Sequence, residues 1–215
     1  MEPTETSVLG AALEVLSEDQ SVFLDFMERG LSPVGNSLQP VAMEPDARTY
    51  MRLLPAEPFG PPEVCYPHKA PSEQFGVSVY PFEAGKGVFI PWNPAACYYT
   101  DGYDVWALFM KDVLTIICGA VCLSENLTPM VEVTHGRKED VDLIHFVNVS
   151  GHYGTSFFDP VVLHDITVEV PWFDKDLEWE TLYTPDNAVI QEVNGKLYAT
   201  VKALGFYECI VIRKK

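Results

Sequence analysis

Residues 188–201 read AVIQEVNGKLYATV, with Asn194-Gly195 set between two runs of alternating residues, Ala188 to Val193 and Lys196 to Val201. Both turn residues tolerate the positive φ of a type I′ turn, so the stretch predicts a two-residue β-hairpin. Strand patterns continue on either side of it. Tyr207 to Ile212 reads as a last strand, and Ile166, Val168 and Val170 alternate with Thr167 and Glu169. Further back, Met130–Thr134 and Leu143–Val149 flank the polar HGRKEDVD, the pattern of a hairpin with a long tip. Several short strands with turn signals and no intervening helix predict a C-terminal antiparallel β-sandwich.

Before residue 119 the period is different. Leu9, Ala12, Leu13 and Leu16 share one helical face, and Phe23, Phe26 and Met27 share another that Gly30 closes. Residues 31–74 are rich in proline, which removes donors and blocks helix, and read as an ordered loop anchored by Leu53, Leu54, Phe59 and Tyr66. Gly76 to Phe82 and Val88 to Ile90 make a hairpin around the turn Glu83-Ala-Gly-Lys-Gly87. Thr100 or Asp101 then caps a helix whose Trp106, Phe109, Met110, Val113 and Ile117 recur at helical spacing, with Gly119 placed to end it. Strand, turn and helix in that order form an α/β element. The boundary falls near residues 119–127, giving an α/β region over 1–122 and an all-β domain over 123–215.

The chain has 215 residues, 47% of them hydrophobic, enough to bury a core. Fourteen basic residues against 31 acidic ones leave a formal charge of −17, which opposes a phosphate backbone and an anionic membrane surface alike. Nucleic-acid and membrane partners are therefore not expected. Cys65, Cys97, Cys118, Cys122 and Cys209 are odd in number and unevenly spaced, which argues for free thiols and a reducing cytoplasm. MEPTETSVLG lacks the marks of a signal peptide, and the longest apolar run, VLTIICGAVCL, is too short to cross a bilayer. The sequons at Asn126 and Asn148 are read as chance.

No motif names a catalytic centre. Gly85-Lys-Gly87 joins two strands rather than a strand and a helix, so it is a hairpin turn and not a phosphate cradle. The histidines lack metal-ligand spacing; His145, beside Leu143, Val147 and Val149, reads as a satisfied core histidine, and His152-Tyr-Gly lies in the following loop, where a surface or interface role fits. No Gly-x-Ser-x-Gly or Gly-x-Cys-x-Gly elbow occurs. Glu63 and Asp101 are the acids in the most telling settings, yet choosing two of so many for glycoside hydrolysis is arbitrary. No cofactor or metal is called for. Trp92, Tyr98, Tyr99 and Tyr103 can stack on the C–H faces of a sugar or simply cover the sheet end and seat the following helix, and the turn from Trp92 to Tyr99, with Trp92, Tyr98 and Tyr99, is the candidate contact surface.

Taken together, Pro58-Phe-Gly-Pro-Pro-Glu63, Gly85-Lys-Gly-Val-Phe-Ile-Pro-Trp92 with Tyr98-Tyr99, Ile144-His-Phe-Val-Asn-Val-Ser-Gly151, Gly195-Lys-Leu-Tyr-Ala-Thr-Val201 and Gly205-Phe-Tyr-Glu-Cys-Ile-Val-Ile212 resemble a known group. The group is the C-terminal part of bacterial glycoside hydrolases with a β-galactosidase trimerisation domain, as in family-42 β-galactosidases and related α-L-fucosidase-type enzymes. The resemblance implies a truncated amidotransferase-like, flavodoxin-like α/β region without its nucleophile, followed by the closing β-domain. It also implies that the catalytic (β/α)₈ barrel lies elsewhere. The chain is then expected to be a non-catalytic accessory module that forms a homo-oligomer or joins a separate glycosidase catalytic chain. The alternatives are a carbohydrate-binding module using Trp92, Tyr98 and Tyr99, or a subunit contributing to a shared active site.

Overall fold

The computed structural model describes residues 6–7, 10–26, 30–35, 37–41, 45–56, 71–120, 124, 127–170 and 176–214. The chain divides into two compact units, Met1–Val121 and Cys122–Lys215.

In chain order the first unit holds β1 (Thr6–Ser7), β2 (Ala12–Glu14), β3 (Leu31–Pro33), β4 (Ser37–Leu38), β5 (Arg48–Tyr50), β6 (Arg52–Leu54), β7 (Val77–Phe82) and β8 (Gly85–Phe89). Helices α1 (Pro94–Asp101) and α2 (Asp104–Asp112) follow, the second running on into a π-helical turn at Val113–Ile117. The strands form three small sheets, β1-β4, β3-β2-β6 and β5-β7-β8. Every pairing among the described residues is antiparallel. A flavodoxin-like region needs parallel strands joined by crossover helices, so the sheet expected of residues 1–122 is not found among them.

The first expected helix is a strand. Ala11, Leu13 and Val15 are buried while Ala12 and Glu14 between them are not, a period of two rather than 3.6; Leu9 lies outside the described residues. In place of the second, from Phe23, the described residues form turns that follow a 3₁₀ turn at Ser17–Asp19; Met27 lies outside the described residues. Two of its backbone donors, on Asp25 and Phe26, find a tertiary partner instead of a helical one. Asp112 accepts from the N–H groups of Asp25 at 3.2 Å and Phe26 at 2.9 Å, and Asp19 accepts from Met51 at 3.1 Å. Phe23 and Phe26 still reach the core, where Phe23 stacks on Phe109 with Leu13, Met51, Val77, Trp92 and Trp106 nearby.

The expected hairpin is present, with β7 paired to β8. Its turn is only Glu83-Ala84, Glu83 taking φ 49°, and Gly85-Lys86-Gly87 belongs to β8 rather than to the turn. An unexpected helix, α1, comes first and contains Thr100 and Asp101; the expected helix is α2, which starts at Asp104 after Tyr103, so neither of those residues caps it. Asn93 caps α1 by accepting from the Ala96 N–H at 2.9 Å, Pro94 sits in the first turn, and Gly102 ends it at φ 71°. Trp106, Phe109, Val113 and Ile117 are the buried face of the following helix, as their spacing predicts.

The second unit holds β9 (Val131–Lys138), β10 (Val141–Asn148), β11 (His152–Tyr153), β12 (Ser156–Phe157), β13 (Leu163–Glu169), β14 (Leu177–Thr181), β15 (Ala188–Val193), β16 (Lys196–Leu204) and β17 (Tyr207–Lys214). A four-stranded sheet, β14-β17-β10-β9, and a three-stranded one, β13-β16-β15, are both antiparallel. They share one core, Ile144, Phe146, Ile210 and Ile212 from the first with Val168, Ala199, Val201 and Leu204 from the second, which is the layering of a β-sandwich. Asn194 and Gly195 take φ 54° and 81°, as the hairpin between β15 and β16 requires.

HGRKEDVD is not a long tip. The strands run to Lys138 and resume at Val141, leaving Glu139-Asp140 as the turn. The polar residues extend the ladder because their charges meet across it. Arg137 lies opposite Asp142 and donates to it through Nε at 2.8 Å and Nη2 at 3.0 Å, and His135 Nε2 lies 2.6 Å from the same carboxylate.

Candidate functional site

The three residues of the expected contact surface do not form one platform. Trp92 is only 7% exposed; its indole N–H donates to the Gly76 carbonyl at 3.0 Å, and its ring packs 5.3 Å from Phe109. A buried indole satisfied in this way is core and offers no face for stacking. Tyr98 and Tyr99 are helical, on the last turn of α1, so successive side chains diverge by about 100°. Tyr99 is 92% exposed and Tyr98 39%. Tyr103, just past the Gly102 break, is also exposed and stacks on Trp106 at 5.2 Å.

Lys86 does not face an anion. Its ammonium donates to the Ile117 carbonyl at 2.5 Å, at the end of the π-helical turn, where helix carbonyls lack partners. Asp101 lies exposed at the end of α1, and Glu63 lies outside the described residues. His145 is half-buried, on the strand face opposite the buried Ile144 and Phe146, and its Nδ1 pairs with the Tyr207 hydroxyl at 2.7 Å. Period two places it away from the core that its apolar neighbours implied.

The buried acids are engaged in the fold. Besides Asp19 and Asp112, Glu208 accepts from the N–H groups of Tyr183 at 3.0 Å and Thr184 at 3.1 Å and from Asn187 Nδ2 at 2.9 Å. Burial raises the Asp112 carboxyl above its usual range, against the pull of the Phe26 and Asp25 N–H groups. Asp142 goes the other way: burial opposes its charge, but the Arg137 and His135 bonds outweigh burial and hold the carboxyl low. Burial, then the nearby Asp101, raises the Cys97 thiol; burial chiefly raises Cys209. Neither thiol is primed as a nucleophile. Among the described residues, no three His, Cys, Asp or Glu side chains are grouped to hold a metal ion, and no helix is long and apolar enough to cross a membrane.

What the sequence reading placed only loosely is the excursion after β10. Asn148, one of the two sequons, is buried: its Nδ2 donates to Val161 O at 2.7 Å and Leu204 O at 3.3 Å, and its Oδ1 accepts from the Ser150 N–H. Above this base β11 and β12 form a two-stranded ribbon. His152 and Phe157 stack across it at 4.8 Å, both exposed. The signal available in sequence was the aromatic density of HYGTSFF, with Gly154 at the turn.

These features describe a β-rich chain whose buried polar groups hold its loops and whose exposed aromatics are spread over the β7–β8 hairpin, α1–α2, the β11–β12 ribbon, and Trp179, Tyr183 and Phe206. No protein-family model matches the chain, and no curated protein matches it by sequence. Among solved structures it is similar to the α-L-fucosidase isoenzyme 2 from Paenibacillus thiaminolyticus, with a TM-score of 0.62 and 16% sequence identity. The similarity covers 100% of this chain and 34% of that one, so the chain spans about a third of the fucosidase's length. A likeness at this identity is one of fold, and it relates the fold to part of a glycoside hydrolase.

Proposed function

We propose that the chain is a non-catalytic assembly module of a glycoside hydrolase, joining copies of itself or a separate catalytic chain of the α-L-fucosidase or family-42 β-galactosidase type. The observation that carries this reading is the likeness of the whole chain to 34% of an α-L-fucosidase. The commitment of Asp19, Asp112, Asp142 and Glu208 to backbone and side-chain donors supports it, since glycoside hydrolysis needs two carboxylates free to flank a bond. Light scattering on the chromatographed chain, alone and mixed with a catalytic glycosidase chain encoded beside it, tests the reading. Association in either sample supports it, and a protein monomeric in both rejects it.

A second reading, carbohydrate binding, draws on the exposure of Tyr99 and Tyr103. Trp92 leaves that reading because it is buried. Calorimetry against fucose, galactose and their oligomers separates the two readings: heat abolished by Tyr99→Ala favours a sugar site, and no heat in either protein removes it.

A further inference from the structure

We infer that Asn194 is a modification site: its side-chain amide is lost to attack by the backbone nitrogen of Gly195, leaving aspartate or isoaspartate at the tip of the β15–β16 hairpin. This chemistry stands apart from the assembly reading, since it needs neither a partner chain nor a sugar.

Burial and hydrogen bonding separate this asparagine from the others. The chain has six, of which Asn36 and Asn126 lie outside the described residues. Asn93 spends its Oδ1 on the Ala96 N–H and precedes Pro94, which has no N–H with which to close a ring. Asn148 and Asn187 are buried with their amides engaged. Asn148 Nδ2 donates to the Val161 and Leu204 carbonyls; Asn187 Nδ2 donates to Ala203 O at 2.8 Å, and its Oδ1 accepts from the Ala203 N–H at 3.1 Å. Asn194 is exposed, and among the described residues its side chain has no hydrogen-bond partner.

The attacking nitrogen is equally open. Val193 lies opposite Lys196, so the turn is Asn194-Gly195 alone, at φ 54° and 81°. The bond that closes such a turn runs from the fourth residue's N–H to the first residue's carbonyl, which leaves the third residue's N–H unused. Here that group belongs to Gly195, exposed, with nothing within 4 Å of an added β-carbon. Asp101-Gly102 is the other pair able to form the same ring, and it is held differently. The Gly102 N–H donates to Tyr98 O at 2.9 Å where α1 ends.

Water is the only co-reactant. Hydroxide takes the proton from the Gly195 nitrogen, which bonds to Asn194 Cγ; the Cγ–Nδ2 bond breaks and ammonia leaves, closing a succinimide ring. Holding nucleophile and target in adjacent residues makes the step unimolecular. Water then opens the ring. Entry at Cγ gives aspartate, and entry at the former backbone carbonyl gives isoaspartate, whose chain runs through Cβ and Cγ. Ring closure needs Asn194 to rotate about its Cα–C bond out of the turn, so the reaction proceeds from an opened hairpin tip, a low-cost local fluctuation. Aspartate tolerates positive φ and keeps the turn. Isoaspartate lengthens the backbone, which a two-residue turn absorbs only by moving Val193 from its place opposite Lys196.

The test is to age the full chain at neutral and mildly alkaline pH, folded and in urea, and follow it by isoelectric focusing and by peptide mapping with isoaspartate detection. Asn194→Gly, which keeps a turn tolerant of positive φ, is the control. The folded wild type is expected to gain isoaspartate at 194 and an acidic isoform, faster at alkaline pH, and the control to lack both. Folding should slow Asp101-Gly102 at least about fivefold more than Asn194-Gly195, each measured against its own rate in urea, the factor that one hydrogen bond of ordinary net strength supplies. No isoaspartate at 194 in the folded chain, while the urea sample forms it, overturns the inference. Aspartate without isoaspartate also overturns it, because water rather than the Gly195 nitrogen has then displaced the amide. Equal slowing at the two pairs overturns the role given to the unused Gly195 N–H.

Discussion

The ammonium of Lys86, which Gly85 and Gly87 flank within β8, donates to the carbonyl of Ile117 at the end of the helical segment 31 residues later. A lysine whose neighbours invite an anion-binding reading is thus a helix C-terminal cap.

Replacing it with an uncharged side chain of similar length therefore acts on stability. Lys86→Met is expected to cost about 0.5–1 kcal/mol, read by urea unfolding, and calorimetric titration with phosphate should show no heat in either protein. Phosphate binding lost in the variant would restore the anion reading.

Gly35 takes φ 78°, and a β-carbon there would lie 2.4 Å from Cys97 Sγ, with the next atom, Cys97 Cβ, at 3.9 Å. Gly35→Ala combines backbone strain of about 1 kcal/mol with that clash, for a total of about 2–4 kcal/mol. Cys97→Ala removes the clashing sulfur. The double variant should therefore be more stable than the sum of the two singles by about 1 kcal/mol or more in a double-mutant cycle; strict additivity would mean the sulfur moves aside freely.

Asp142 and Asp112 should give opposite pH responses. Asp142 is held low in the folded chain, so its contribution is fully present above the ordinary carboxylate value near 4 and is lost as pH falls through the folded value. Asp112 is raised, so its contribution is greatest below that ordinary value and declines as pH rises through the folded one. Melting curves from pH 3 to 7 are expected to show Asp142→Asn less stable than wild type at pH 7, with the gap narrowing below about pH 4. A gap that widens on acidification would contradict the Arg137–Asp142–His135 assignment.

Gly151→Ala pushes a methyl group against the Phe158 carbonyl, a backbone atom that cannot rotate away. The expected cost is about 3 kcal/mol or more by chemical unfolding, whereas Gly154→Asn at the tip, where nothing lies within 4 Å of an added β-carbon, should cost under about 1 kcal/mol. Equal effects at the two glycines would show that the loop base is not closed.

Local chemistry made several elements legible in the sequence. Asn194-Gly195 specified its turn because few residue pairs accept two positive φ values, and Trp106, Phe109, Val113 and Ile117 specified a helix face because 3.6-residue spacing leaves one side apolar. Elsewhere the deciding partner was remote. Phe23, Phe26 and Met27 look helical, yet the N–H groups of Asp25 and Phe26 are taken by Asp112, 87 and 86 residues away. HGRKEDVD looks like a loop until Arg137 and His135 are placed on Asp142 across the ladder.

The candidate surface divides along the same line. Aromatic density along the chain marks both Trp92–Tyr103 and Tyr153–Phe158, but burial is settled by what packs on a ring from distant sequence. Gly76 and Phe109 close over Trp92, and no comparable partner closes over Tyr99, Phe157 or Phe158 to bury them. The sequence by itself determined turns, helix spacing, strand alternation and the charge of −17, all properties of neighbouring residues or of the sum. Only the tertiary structure decided which polar groups are spent on holding the chain and which aromatics remain at the surface, because hydrogen bonding and exclusion of water depend on groups that the fold brings together from far apart.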